Sequence, residues 1–432
     1  MSKSFTLSPA RALSLTCALV LALLPFHALI TTWAISNFGH SDLFKIWKDI
    51  IIIASLPLVT VLIIKKPDLR DWLRRSWVVR LYVAYILLHF LVGFWALRRH
   101  EVDKLALEYA LIINLQFIGF FIVCALAAAS DNFLKRNWAR IVGLPAAIVV
   151  AFGLAQHFIL SDNFLRHFGY SEKTIQPYQT VDANLSYVRV QSTLRGANPL
   201  GAYLVLAVPA GLAYFRKRSA QAAWLLGSLI VLFYSYSRSS WAGMTLATIV
   251  LVWLATRQAK KIWLTAAIVA VVAGAGLYGL RSSQTVQDIF LHTSNHSTSA
   301  TSSNQLRNEA LSSGFHDVIH QPLGRGPGTA GPASFRNNGH ANRIAENYYL
   351  QLGQEVGIAG LAIFLAINLL VVRQLWRRRA DLLARVLLAS WLGISFINLL
   401  SHAWTDDTLS LLWWGLAGVA VASRWPAKRQ SR

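Results

Sequence analysis

The polar stretch Ser282–Tyr349 carries Arg307, Arg325, Arg336, Arg343 and His340, and ends on Glu346 and Asn347. Guanidinium groups are planar forks that hold phosphate oxygens in pairs. A histidine, with an ordinary pKa of about 6.5, accepts a proton at neutral pH. Together these residue types suit displacement of a group from a diphosphate, with cations neutralising the leaving group while a base takes the proton of the attacking hydroxyl. Three further clusters offer the same chemistry: Arg189 and Arg195-Gly196-Ala197-Asn198-Pro199, then Tyr236-Ser237-Arg238-Ser239-Ser240-Trp241, then Ser401-His402-Ala403-Trp404-Thr405-Asp406-Asp407.

Each residue type also has a plainer use. Arginines beside apolar runs snorkel to lipid headgroups, whereas charges within such runs are rare and usually functional. Arg238 sits in a turn too short to carry it far from the membrane, and Ser237, Ser239 and Ser240 flank it with hydroxyls. Pro322–Gly328 has three glycines in seven residues, which serves either a turn or an anion-binding nest of backbone N–H groups. His340 is the first candidate for the base and Glu346 the second. Arg189, Arg195, Arg238 and Arg325 are the diphosphate candidates. Arg307, Asn347 and His402 are supporting candidates, although His402 and the carboxylates after it also fit a helix end.

These residues need a scaffold, and composition identifies it. The chain has 432 residues, 55% hydrophobic and 14% charged, with mean hydropathy +0.45, too little polar surface for an ordinary soluble domain. A span needs roughly 20 apolar residues. Such runs recur near 12–35, 44–64, 76–97, 105–129, 138–160, 199–215, 222–237, 240–256, 262–280, 349–372, 383–402 and 407–423. Apolar all round rather than alternating, they predict an all-α integral membrane protein of about twelve transmembrane helices in one domain, 1–432. Basic residues cluster after alternate spans, at Lys65–Arg75, Lys135–Arg140, Arg216–Arg218, Arg257–Lys261, Arg373–Arg379 and the C-terminal tail. The positive-inside rule then puts both termini in the cytoplasm and the loops 161–198 and 282–348, the latter between the ninth and tenth spans, outside. The +22 net charge thus reads as topology and attraction to anionic membrane lipid, not as nucleic-acid binding. The first apolar run outlasts a signal-peptide core and reads as a helix. Cys17 and Cys124 lie inside apolar runs and imply neither disulfide nor metal site. Asn295-His296-Ser297 is a weak sequon match, and there is no Walker loop or dinucleotide fingerprint.

Arg195-Gly196 with Asn198-Pro199-Leu200-Gly201-Ala202-Tyr203, Tyr236-Ser237-Arg238-Ser239, Arg307 ahead of Pro322–Gly328, and Asn347-Tyr348-Tyr349-Leu350 followed by Glu355-Val356-Gly357 and Gly360 occur in an order that resembles the bacterial O-antigen ligase and polymerase superfamily. The resemblance runs over about 195–415. It implies a metal- and cofactor-independent, inverting glycosyltransferase of the bacterial inner membrane, acting at the periplasmic face on an undecaprenyl-diphosphate-linked glycan donor. In a ligase the acceptor is the lipid A core; in a polymerase it is another lipid-linked repeat. Many relatives place histidine just before the asparagine of Asn-x-x-Leu, where this chain has Glu346, and the nearest histidine upstream is His340. A lipid-linked glycan flippase and a non-catalytic scaffold are the readings from other classes; the absence of an internal repeat and the gathering of polar groups at one face count against transport.

Overall fold

The computed structural model describes residues 8–256, 261, 264, 274–276, 278–291 and 303–422. Hydrocarbon offers no partner to backbone N–H and C=O groups, so apolar runs coil into helices that satisfy them internally. Eight helices are long and apolar enough to cross a membrane: Pro9–Phe38, Trp47–Lys65, Trp77–Arg98, Lys104–Ser130, Phe133–Phe158, Ala197–Tyr214, Arg238–Thr256 and Tyr348–Trp376. Leu382–Asn398 and Asp407–Val421 are shorter apolar helices, as is Arg218–Tyr234 in place of the 222–237 run. The described residues therefore give eight full-length spans rather than twelve. Most of the expected ninth span, 262–280, lies outside the described residues, as does the sequon at Asn295. The chain is a multi-pass helical membrane protein.

The Asp407–Val421 helix is buried from Thr408 to Val421, as a helix apolar on every side must be. It packs against Lys104–Ser130, and Trp413 and Trp414 are among the largest side chains fully out of contact with the surface. Ala197–Tyr214 is buried in the same way, against Phe133–Phe158 and Leu382–Asn398. Arg238–Thr256 meets Leu382–Asn398 where Gly243 faces Gly393; a Cβ on Gly393 would lie 2.4 Å from the Gly243 carbonyl oxygen. Small residues at such a crossing let helix backbones touch within a bilayer.

Two spans are broken, and loop groups occupy both breaks. Pro25 interrupts the first at Leu24–Phe26, freeing carbonyls that take hydrogen bonds from the Thr408 hydroxyl (to Leu24, 3.0 Å) and the Thr193 hydroxyl (to Pro25, 2.8 Å). Gly357, with φ 71°, breaks Tyr348–Trp376. There the backbone N–H groups of Arg325 and Gly326 donate to the carbonyls of Gln354 and Glu355, each at 2.8 Å, and the Ile358 N–H donates to Pro322 at 2.9 Å. Non-helical backbone at membrane depth survives only when partners of this kind are supplied.

The described parts of the two long loops are structured. Within 161–198 a hairpin pairs Gln179–Val181 with Asn184–Arg189 through a turn at Asp182 and Ala183, both at positive φ. Within 282–348, Ser303–His320 is an α-helix and Gly331–Arg336 a 3-10 helix. Ser303–His320 is polar without a clear apolar stripe, and it packs on Tyr348–Trp376.

Gly357→Ala places a Cβ 2.3 Å from the Pro322 carbonyl oxygen on a left-handed backbone. Strain of this kind costs on the order of 1–3 kcal/mol, so the variant melts several degrees below wild type in detergent. An unchanged melting temperature would contradict this account of the break.

Candidate active site

A cavity of about 270 Å³ opens at one end of the bundle, lined among others by Arg195, Asn198, Glu346, Ser401, His402 and Asp406. Three chain segments far apart in sequence meet there, and each is fixed by its backbone. Gln156, near the end of Phe133–Phe158, accepts the N–H groups of Gln191 (3.2 Å) and Ser192 (2.7 Å) through one side-chain oxygen. This clamp turns the chain at Ser192, φ 52°, and delivers Arg195 to the mouth of Ala197–Tyr214. Asn347 caps Tyr348–Trp376, its side-chain oxygen accepting from Tyr349 (2.9 Å) and Leu350 (3.1 Å) while its amide donates to Leu399 (3.0 Å). Glu346 precedes it at φ 50°. Ser192, Tyr236 and Glu346 are all non-glycine residues in the left-handed region and all stand beside a candidate; strain of that kind persists only where the surroundings over-determine it, and it gathers at functional sites.

The electrostatics of the cavity are paired, not open. Arg195 Nε lies 3.5 Å from Asp406 Oδ2, and Arg307 Nη2 lies 3.5 Å from Glu346 Oε2. Burial opposes the Arg195 charge, but Asp406, Tyr109 and Asp407 outweigh it and hold the guanidinium above its ordinary pKa. Burial pushes Asp406 up, with Arg195 pulling the other way. Burial also pushes the His402 imidazole down; Glu346 opposes that shift and Arg195 adds to it. His402 is therefore held toward its neutral form. Arg189, pushed down to about 10 by burial, remains a cation; it donates to the Ser235 carbonyl (2.9 Å) and to Asn198 Oδ1 (2.6 Å) in the cavity wall. Arg238 is within electrostatic reach of Arg189, Arg307 and Asp182.

Beneath this cavity runs a buried polar chain that the sequence reading missed. Asp406 caps Asp407–Val421 by accepting the Leu409 N–H at 3.1 Å. Its neighbour Asp407 faces inward, taking Lys48 Nζ at 2.8 Å and Gln116 Nε2 at 2.7 Å, with His27 Nε2 3.8 Å away. Lys48 is 2% exposed and also meets Asp49 at 3.2 Å. The Trp47 indole N–H donates to His27 Nδ1 at 2.9 Å, which leaves Nε2 of a neutral His27 to carry the proton toward Asp407. The usable signal was a lysine, a histidine and an aspartate inside otherwise apolar runs.

Several candidates lie elsewhere. Arg325 is not in the cavity wall: its guanidinium bonds to Asp317 at 2.8 Å and to Gln321. The Pro322–Gly328 backbone is no open anion nest, because the Arg325 and Gly326 N–H groups go to helix carbonyls and the Gly328 N–H donates to the buried Glu355 carboxylate at 2.9 Å. Its glycines fit the broken helix: a Cβ on Gly324 would lie 2.5 Å from the Gly357 nitrogen. His340 is exposed, its N–H on the Asn337 carbonyl at 3.3 Å, and does not line the cavity. Ser237 and Ser240 are buried and bonded to each other at 2.8 Å, packed where a Cβ on Gly201 would reach 2.5 Å from Ser240 Oγ. Arg343 faces Asp317 at 3.8 Å, and Arg336 lies over the Tyr109 ring at 3.7 Å.

Residues 221–365 match the family model described as O-antigen ligase. The matched span contains Arg238, Arg307, Arg325, His340, Glu346 and Asn347; Arg189, Arg195, His402 and the two aspartates fall outside it and join the site through the fold. No curated protein matches the chain.

Removing one partner of a buried ion pair leaves the other charge uncompensated, at about 3–5 kcal/mol, whereas replacing both with apolar residues is often neutral. Lys48→Met should thus lower thermal stability in detergent markedly, and Lys48→Met with Asp407→Leu should recover part of the loss. A single variant as stable as wild type would show that the pair carries no such weight.

Proposed function

We propose that this member of the O-antigen ligase superfamily is a membrane glycosyltransferase that moves a glycan from a lipid diphosphate donor to a hydroxyl acceptor at the cavity beside Arg195 and Glu346. The ligase or polymerase type of chemistry follows from the family. The ligase reading, with undecaprenyl-diphosphate-linked glycan as donor and lipid A core as acceptor in a bacterial inner membrane, rests on the family description and on the earlier resemblance. The placement of the basic loops supports cytoplasmic termini and a periplasmic cavity.

One observation carries the mechanism: a cation and two proton acceptors share one small cavity. Arg195 holds diphosphate oxygens, and Arg189, Arg238 and Arg307 shape the field around it. Charge that develops on the leaving oxygen meets preorganised guanidinium groups. Glu346 takes the proton of the acceptor hydroxyl, with Arg307 orienting the carboxylate and neutral His402 beside it. The acceptor oxygen forms the new bond to the anomeric carbon as the carbon–oxygen bond to the diphosphate breaks; the electron pair leaves with the diphosphate, and a single displacement inverts the centre. His340, exposed and outside the cavity wall, has no part in this scheme. Since guanidinium groups supply the positive charge, no metal step is needed.

The test is reconstitution with lipid-linked glycan and defined acceptors. General-base catalysis is worth about 10²–10⁴-fold, so Glu346→Gln should lose that much turnover while donor binding stays within a few-fold; Arg195→Ala should lose both. His340→Ala and added chelator should leave turnover unchanged. Glycan on lipid A core identifies a ligase, and lengthened glycan on undecaprenyl diphosphate a polymerase. Full turnover in Glu346→Gln would remove Glu346 as the base.

A further inference from the structure

At the opposite end of the bundle from the candidate site lies a larger cavity, about 780 Å³, lined by Trp253, Leu254, Trp376, Arg377, Arg379 and Arg385 among others. It forms where Arg238–Thr256 and Tyr348–Trp376 end and Leu382–Asn398 begins. The first two of these helices begin beside Arg238 and Glu346, so the two cavities are separated by the length of a membrane-crossing helix, about 1.5 Å per residue.

Among the described residues, three guanidinium groups line this wall and no carboxylate does. Among the described residues, none of Arg377, Arg379 and Arg385 forms a salt bridge, and the Arg385 Nε is buried without a hydrogen-bond partner. The Arg379 Nη1 donates to the Trp376 carbonyl at 3.1 Å, and its guanidinium sits 5.0 Å from the Trp376 ring. Close by, Arg378 spends its guanidinium on the Ala420 carbonyl and, with Lys135 near it, adds to the positive field. Like charges gathered in one cavity repel unless an anion joins them, and guanidinium forks fit phosphate oxygens.

The apolar side of the wall decides what kind of phosphate. Trp253 and Trp376 stand with ring centroids 5.7 Å apart, inclined by 37°, at the ends of two spans. Tryptophan at a span end marks the boundary between headgroup and hydrocarbon, and basic pockets between helices at that level hold anionic headgroups. A free phosphate gains nothing from two indoles, whereas a phospholipid has glycerol and acyl carbons to lay on them. We propose that this cavity is a binding site for one anionic phospholipid, its phosphate held by Arg377 and Arg385 and its glycerol end against Trp253 and Trp376. The proposal does not rest on the transferase reading.

The test is native mass spectrometry of the full chain in neutral detergent, with phosphatidylglycerol and phosphatidylcholine offered at equal mole fraction. Wild type should retain one phosphatidylglycerol at least tenfold better than phosphatidylcholine. R377Q/R385Q should abolish that preference, and R377K/R385K should keep part of it. Equal retention of the two lipids by wild type would overturn the proposal without recourse to any variant. So would an unaltered preference in a folded R377Q/R385Q protein, or displacement of the lipid by equimolar inorganic phosphate, which would mark a free-anion site instead.

Discussion

Two adjacent carboxylates at the start of the last described helix tie the site to the core. Asp406 reaches out to Arg195 and caps the helix; Asp407 reaches in to Lys48 and Gln116. An ammonium only 2% exposed needs carboxylate partners, here Asp407 and Asp49, because an unpaired charge out of water costs several kcal/mol. The pairing therefore fixes the rotation of the helix about its axis. Consecutive residues of a helix start point in different directions, so fixing Asp407 also fixes Asp406 and, through it, the arginine in the cavity.

A second constraint runs alongside. A bilayer tolerates broken helices only when the freed backbone groups find partners, and here the partners come from site-bearing loops. Thr193, two residues before Arg195, fills the break at Pro25. Thr408, next to Asp407, fills the same break from the other side. The Pro322–Gly328 loop fills the break at Gly357 and donates to Glu355. Hydrogen bonds that make the spans possible thus also anchor the segments next to Arg195 and Asp406.

The membrane class and most helix positions were legible because long apolar runs permit little else. Arg195, Glu346 and His402 were visible as charged or titratable residues at span ends, and the Asn347 cap fits the Asn-x-x-Leu pattern at a helix start. Which arginine does what was hidden. Arg325 looked like a phosphate ligand among glycines, yet Asp317, eight positions back on a helix without an apolar stripe, claims it. The glycines fitted either a turn or a nest, but their conformations answer a helix break whose partner is distant in sequence. Asp407 read as one carboxylate of a polar cluster at a helix end, and its pairing with Lys48, across the whole chain, leaves no local pattern. Backbone strain at Ser192, Tyr236 and Glu346 leaves no mark in residue type at all.

The central claim is that the small cavity seats the donor diphosphate against Arg195 with Glu346 facing the sugar. A structure of the full chain in lipid bound to undecaprenyl diphosphate tests it most directly. The account predicts the diphosphate within hydrogen-bond reach of the Arg195 guanidinium, with the Glu346 carboxylate on the side from which an acceptor would approach. A diphosphate seated instead against Arg325 and the Pro322–Gly328 loop, or beside His340, would contradict it.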